Sequence, residues 1–503
     1  MGRVGGNGGA QVLPALYRDE HLIAIDRPAA LPVRSPYAEE GAGVLEILEA
    51  SGLGPVFEGA RFGRGCSGVV LLGRSREAAV ALKNAAGSLS LTFLALARGK
   101  PREVSSKGGA RVEVVRRQGK GALLRCAITG GGVKEARAAL HALGVSVDEG
   151  PLGLRLMAIE GPHPITGEPL EIRCEGDGGA SAALAGELDV EALVGAALRA
   201  RASCALDLET DAWRLLGGAG DGLAGVTAAR FGPAILLHTR EGEFEGDREA
   251  VASIGRALLD GTGAEGVFWR QVSRQGGAGE VDEVPLVGAP CAEAVVIRER
   301  GLKYLIRPHH GLSPGLFLDQ RHNRVRVRQF AEGARVLNTF AHTCGFSVAA
   351  AAGGAAEVVS VDALRPYLSW GRENLALNGL PEDNHVFIAS DVMDYLGRSA
   401  RQGRLFDLVV LDPPTFGRDK KTGRTFVFER DLKKLLEATA AVTSPGGRWL
   451  LSTNHRGTRA KQLREAVADA LGPRSFEVEL EPRLPPDFAG DPDFAQTLWV
   501  RLG

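Results

Sequence analysis

The sequence predicts a multidomain α/β protein, and three observations carry that prediction. The stretch Phe406-Asp-Leu-Val-Val-Leu-Asp412-Pro413-Pro414-Thr415-Phe416 is apolar without helical spacing and runs into a Pro-Pro stop. A strand buried on both faces of a parallel sheet ends in this way at the sheet's carboxyl edge, where open α/β sheets keep their sites. Strand and helix patterns alternate around it over residues 311–503. Small and polar residues, Glu175 to Leu188, interrupt the chain upstream and read as a linker, placed at 179–190.

At 503 residues there is room for about three domains. With 60 basic and 61 acidic residues the net charge is −1, so a polyanionic partner would have to meet local patches. Two such patches are Arg321, Arg324, Arg326 and Arg328, and Arg61, Arg64, Arg74 and Arg76. The six cysteines are scattered, with no Cys-x-x-Cys pair, which predicts neither a metal site nor a disulfide framework. The amino terminus shows no apolar signal core and no run reaches membrane-spanning length, so the expected location is the cytoplasm.

Residues 1–178 read as the first domain. Val12 to Leu31 is strand, Arg-Asp-Glu turn, strand. Ala60-Arg61-Phe62-Gly63-Arg64-Gly65-Cys66-Ser67-Gly68 leads into the apolar strand Val69 to Leu72, and Leu91-Thr92-Phe93 opens another. Together with Leu140-His-Ala-Leu-Gly144 and His163-Pro-Ile-Thr166-Gly167-Glu168, this order resembles the RluA-type pseudouridine synthases. The resemblance implies an α+β sheet domain that has lost its catalyst. In that family the pattern His-Arg-Leu-Asp-Arg-x-Thr-Ser-Gly carries the nucleophilic Asp; Gly63 stands in its place, with no acid between Glu58 and Glu77. Phe93 stands where the family has Tyr. A nucleophilic step does not survive loss of its nucleophile. An inactive module is expected, which either docks RNA phosphates through Arg61, Arg64, Lys134 and Arg137 or only packs against its neighbour.

Residues 191–310 follow as a small α+β domain, with helices at about 190–203 and 247–260 and strands at 234–238, 267–272 and 294–306. The run from Thr210 to Gly225 is similar to the small domain that precedes the catalytic domain in large-subunit rRNA methyltransferases of the Asp-Pro-Pro-x-Phe group. Ala219 and Ala229 replace acids usual in that group.

Residues 311–503 open with Gly315-Leu-Phe-Leu-Asp319-Gln320-Arg321-His-Asn323-Arg324. Arg335 to Ser347 reads as strand, loop and helix start, with Thr343 and Ser347 as candidate caps and Gly345 letting the loop pass close to a ligand. Glu357 to Asp362 is a strand ending in an acid, a position that in nucleoside-binding sheets hydrogen-bonds ribose. A helix Arg365–Asn378, a strand Val386–Ser390 with Asp391, and the Asp412 strand come next. A helix at 429–443, a strand Arg448–Ser452, a helix at 459–471 and strands near 475–480 and 496–502 complete the order. No G-x-G-x-x-G opens the first helix, which disfavours a dinucleotide site.

Over about residues 200–503 this pattern resembles the class I AdoMet-dependent rRNA methyltransferases of the Asp-Pro-Pro-x-Phe group. The resemblance implies a Rossmann-like catalytic domain, S-adenosyl-L-methionine as cofactor and large-subunit rRNA as partner. It implies that Asn338, Phe340, Thr343 and Gly345 form the donor loop, that Asp362 holds ribose and that Asp391 reaches the adenine amine. Asp412, Pro413, Pro414 and Phe416 would cradle the target base. Arg321, Arg324, His455 and Arg456, with Arg61 and Arg64, would contact RNA, and Asp319 would lie beside donor or RNA.

Methylating carbon 5 of a pyrimidine needs a thiolate to add at carbon 6 first. Family members that make 5-methylcytidine place this Cys just after the fifth strand, where this chain has Ser452-Thr453-Asn454-His455-Arg456. The domain's own Cys344 lies in the donor loop. A base nitrogen, guanine favoured, is the expected acceptor, since it needs alignment and only modest polarisation. The alternatives are a 5-methylcytidine enzyme, a non-catalytic RNA-binding assembly factor and a bifunctional synthase and methyltransferase. A protein or small-molecule acceptor is a further reading, because fold does not name substrate.

Overall fold

In the computed structural model the described residues are 13, 15–28, 31–34, 43–60, 66–99, 101, 106–107, 110–118, 121–147, 153–176, 180, 184, 189–201, 204, 207, 209–273, 284–310, 313–418, 425–482, 484–488, 491 and 494–503. Alternating apolar residues build a largely antiparallel ten-stranded sheet between residues 15 and 173. Its centre is Ser90–Arg98, which pairs with Gly121–Thr129 on one side and Leu154–Pro162 on the other. Helices Arg76–Ala85 and Val133–His141 cover one face, over a core that includes Phe93, wholly buried. In the expected linker, Ala180 and Leu184 are spaced four apart and bury their side chains against Leu94, Leu96 and Leu123 of this sheet. At those two residues the chain is packed rather than free, because a few small apolar groups suffice to pin a polar segment to an apolar sheet face.

A five-stranded sheet follows, formed by Ala212–Gly217, Val226–Phe231, Ala234–Arg240, Gly266–Val272 and Val287–Gly288 in that order. Helices Val190–Ala200 and Arg248–Thr262 pack together over its apolar face. The single strand expected over 294–306 is two strands, Val295–Glu299 and Leu302–Ile306, paired as a tight hairpin. Arg300 and Gly301 take positive φ of 50° and 78° and reverse the chain. Only the glycine of that pair carries a sequence signal for such a turn.

The last unit is a seven-stranded sheet whose elements are numbered here within the unit. Its strands are β1 (Arg335–Thr339), β2 (Glu357–Asp362), β3 (His385–Ala389), β4 (Phe406–Leu411), β5 (Thr443–Thr453), β6 (Phe476–Leu480) and β7 (Gln496–Leu502). The order is β3-β2-β1-β4-β5-β7-β6, parallel through β5, with β7 antiparallel to both of its neighbours. The helices are α1 (Arg321–Phe330), α2 (Gly345–Ala352), α3 (Arg365–Leu377), α4 (Val392–Arg401), α5 (Phe428–Ala440) and α6 (Ala460–Leu471). The sequence pattern missed α4, whose Val392, Tyr395, Leu396 and Ser399 are buried at helical spacing. Val409, Val410 and Leu411 are fully buried, because sheet faces covered by helices leave a parallel strand no polar side. Chain order reverses between β1 and β4. Such a switch point splays the two following loops apart and opens a crevice at the carboxyl edge. Among the described residues no helix is long and apolar enough to cross a membrane.

Candidate active site

The loop after β1 is held in a conformation that its sequence does not advertise. Phe340, His342 and Cys344 take φ of 52°, 47° and 62°, three alternate non-glycine residues in the left-handed region. Each costs roughly 1–2 kcal/mol and persists only where surroundings impose it. They do so through hydrogen bonds. Ala341 N donates to Val361 O at 3.0 Å, His342 N to Asp362 Oδ2 at 2.8 Å, and Cys344 N to Ala341 O at 2.7 Å. Asn374 Nδ2 donates to Thr343 O at 2.9 Å, and the Thr343 hydroxyl to Gly315 O. Neither Thr343 nor Ser347 caps α2; Cys344 occupies the cap position, and Ser347 bonds Ser360 and Asn338. Gly345 itself has no positive φ, so the strain expected of glycine falls on its neighbours. Glycine is required instead at 371, where a Cβ would sit 2.3 Å from Cys344 Sγ.

Asp362 ends β2, accepts Leu364 N at 2.8 Å on its other oxygen, and has its pKa raised by burial against those backbone donors. Each of its oxygens accepts one of these backbone bonds, which leaves lone pairs for a further donor. His342 packs 4.3 Å from the Tyr367 ring and 5.1 Å from Phe317, and burial, with His310 nearby, lowers its pKa to about 4, so the imidazole stays neutral. Its Nε2 is buried without a hydrogen-bond partner.

Asp412 follows directly on β4, the neighbour of β1. Pro413 is buried, Pro414 exposed, and the Phe416 ring is 63% exposed at the start of a short hairpin, Phe416–Arg418 with Thr425–Val427. Phe426 of that hairpin lies 5.6 Å from Phe340, which joins the aromatic edge to the strained loop. Burial and the neighbouring Asp319 push Asp412 up to about 7, against Arg324 and the Ser452 hydroxyl. Burial likewise raises Asp319 to about 6. A half-buried acid, a rigid proline corner and an exposed ring therefore stand beside a loop that retains polar groups for a ligand.

Residues 280–501 match the family described as S-adenosylmethionine-dependent methyltransferase. A "putative ribosomal RNA large subunit methyltransferase" of Bacillus subtilis (strain 168) is 33% identical over 296 residues, 58% of this chain and 74% of that protein. The chain belongs to the S-adenosylmethionine-dependent methyltransferases. Ribosomal RNA large subunit methyltransferase K of Neisseria meningitidis serogroup B is 34% identical over 223 residues, 44% of this chain and 60% of the relative. A solved "putative SAM-dependent methyltransferase" from Streptococcus mutans shares the fold, with TM-score 0.55 and 23% identity over 69% of this chain and 88% of that one.

S-adenosylmethionine is thus the cofactor, and it supplies an electrophilic methyl group on sulfonium. The residues at the edge of β1 and β2 fit such a ligand: Asp362 keeps acceptor capacity at a strand end, and the strained loop beside it holds an unpartnered imidazole nitrogen. Among the residues expected to meet the methyltransferase cofactor, Asn338 is buried and donates to Ser347 Oγ at 2.9 Å, so it shapes the loop from behind. Asp391 caps α4 by accepting Asp394 N at 3.1 Å.

The expectation of RNA contact is corrected for Arg321 and Arg324. They are 3% and 4% exposed, because each is drawn inward by a buried carboxylate. Arg324 forms a fork with Glu299 at 2.6 and 2.8 Å, and Arg321 meets Asp487 at 3.1 and 3.2 Å. Arg326 is buried as well, and only Arg328 of that run is exposed. His455 stacks on Phe428 at 5.6 Å and shares a 2.9 Å contact with Thr458 Oγ1, while the exposed Arg456 pairs with Asp491 at 3.1 Å. Arg61, Gly63 and Arg64 lie outside the described residues. Sequence reasoning missed Asp487, wholly buried, although Leu484-Pro-Pro-Asp487-Phe488 repeats the proline-flanked acid of the Asp412 corner and was the available signal.

Proposed function

We propose that the chain transfers a methyl group to a base nitrogen, guanine favoured, of large-subunit ribosomal RNA. The observation that carries this reading is the corner Asp412 to Phe416: a half-buried carboxyl group for the N–H edge of a base, and beside it a ring 63% exposed on which that base can stack. The relatives named above, whose names specify large-subunit ribosomal RNA, support the acceptor. Carbon chemistry is disfavoured by Cys344, which is wholly buried with its thiol pushed up to about 12 by burial and so carries no thiolate to add to a ring.

On this reading Asp412 accepts from the base and Phe416 stacks on it. Asp362 holds the donor ribose and Asp391 its adenine. The domains run as 1–178, a linker at 179–190, 191–310 and 311–503. The first is an inactive pseudouridine-synthase-like module that docks RNA, with Lys134 exposed and Arg137 half-exposed on one helix. The test is transfer of labelled methyl from S-adenosylmethionine to unmodified large-subunit rRNA by the purified protein. Label in the rRNA supports the reading, and label confined to protein or small molecules overturns it.

A further inference from the structure

Behind Asp412 lies a buried chain of polar side chains whose hydrogen-bond directions are fixed from one end. The Trp499 indole nitrogen can only donate, so its partner at 3.1 Å is the carbonyl oxygen of Asn323. That assigns the Asn323 amide nitrogen, which donates to Gln320 Oε1 at 2.7 Å and to Thr497 Oγ1 at 3.3 Å. Gln320 Nε2 then spends its two protons on Asp319 Oδ2 at 3.1 Å and Ser452 Oγ at 2.7 Å. Thr497, already an acceptor, donates to Ser452 Oγ at 3.3 Å. Ser452 therefore accepts twice and has one proton left to give. It is wholly buried, and the parallel register that pairs Leu411 with Leu451 sets it beside Asp412, the neighbouring carboxyl group able to accept that proton.

We propose that Gln320 and Ser452 are positioning residues for Asp412: a hydrogen-bond chain of fixed direction, anchored at Trp499, aims the Ser452 proton at one Asp412 oxygen and leaves the other to accept from the base. The inference rests on the reading of Asp412 as the group that grips the acceptor. The charged groups acting on Asp412 are Asp319, from the turn ahead of α1, and Arg324, from α1; Arg214 acts in turn on Asp319. Burial and Asp319 favour a proton on Asp412, which would turn an acceptor into a donor facing the wrong way for an N–H. The Ser452 proton and Arg324 oppose that.

The test is the pH dependence of kcat/KM for methyl transfer to rRNA, with the affinity for S-adenosylmethionine measured alongside. In Ser452→Ala the acid limb moves to higher pH by about half a unit or more, the size of one lost hydrogen bond, and at pH 6.5 transfer falls about threefold. Ser452→Thr keeps the hydroxyl and the wild-type limb. Asp319→Asn moves the limb to lower pH. A merely structural role would not give opposite shifts while donor affinity stays within about twofold. If Ser452→Ala does not fold, Thr497→Val removes one donor that orients the hydroxyl and is expected to shift the limb upward too. An unmoved limb in the folded variants, or shifts of the same sign in Ser452→Ala and Asp319→Asn, overturns the inference. Asp412→Ala separates the two levels. Turnover at the wild-type rate would sink the role of Asp412 itself, whereas no turnover combined with an unmoved Ser452→Ala limb sinks only the positioning chain.

Discussion

Asp412 and Asp319 sit with their pKa values raised to about 7 and about 6, both above the ordinary carboxylate value of 3.8. Between those limits the folded chain binds more protons than the unfolded one, so these groups make stability fall as pH rises from about 4 to about 7. Asp412→Asn removes a charge that folding must desolvate. Urea unfolding of the catalytic unit should show it stabilised by roughly 1–2 kcal/mol at pH 8, with the gain fading toward pH 4, while transfer is lost and donor binding kept. No gain at pH 8 would mean that the carboxylate is better solvated than its surroundings indicate. Cys344 gives a second prediction. Cys344→Ala should lose about 1 kcal/mol of stability from the small cavity yet retain kcat within a few fold, as measured by steady-state transfer. At this scale the strand-terminal acids Asp362 and Asp412 were legible, because an apolar run ending in an acid marks a sheet edge. The left-handed Phe340, His342 and Cys344 were not, since no glycine stands there and tertiary hydrogen bonds impose the conformation.

Among the elements, α4 and α1 show what local pattern reveals and conceals. The helix α4 begins at Asp391, whose side chain caps it, so Asp391→Ala should cost about 1 kcal/mol while Asp391→Asn keeps the cap. Weaker binding of S-adenosylmethionine by Asp391→Asn, read by calorimetry at an unchanged unfolding midpoint, would report the adenine contact separately from the cap. Unchanged affinity in both variants would leave the residue only its structural part. In α1 the arginines look like a solvated basic face in sequence, yet Arg321 and Arg324 point inward. Their carboxylate partners, Asp487 and Glu299, lie 166 and 25 residues away, beyond any helical or strand period. Breaking one buried pair leaves its partner charged and desolvated. Asp487→Ala should therefore destabilise the chain by roughly 3–5 kcal/mol in denaturant unfolding, and a change below about 1 kcal/mol would show the cluster to be wetter than its geometry.

Over the whole molecule, the order of strands and helices from 335 to 502 was readable, α4 excepted, because doubly covered parallel strands and amphipathic helices alternate with distinct periods. The seating of the middle unit was not, since it depends on side chains far apart in sequence: Arg214 N donates to Asp487 Oδ2 at 2.8 Å, Arg201 Nε to Asp487 O at 3.1 Å, and the Arg214 guanidinium lies over Phe488 and Phe494. These contacts fasten the segment between β6 and β7 to the five-stranded sheet. If the amino-terminal unit docks RNA, Lys134→Glu with Arg137→Glu should raise KM for rRNA and flatten its salt dependence, leaving donor affinity unchanged. An unchanged KM would make that unit a packing partner only. The central claim, methyl transfer to a base nitrogen at the Asp412 corner, is met most directly by mass spectrometry of nucleosides from rRNA labelled by the purified protein. Labelled methylguanosine is the predicted result, and labelled 5-methylcytidine would contradict it, because Cys344 in the donor loop is wholly buried with its thiol held protonated.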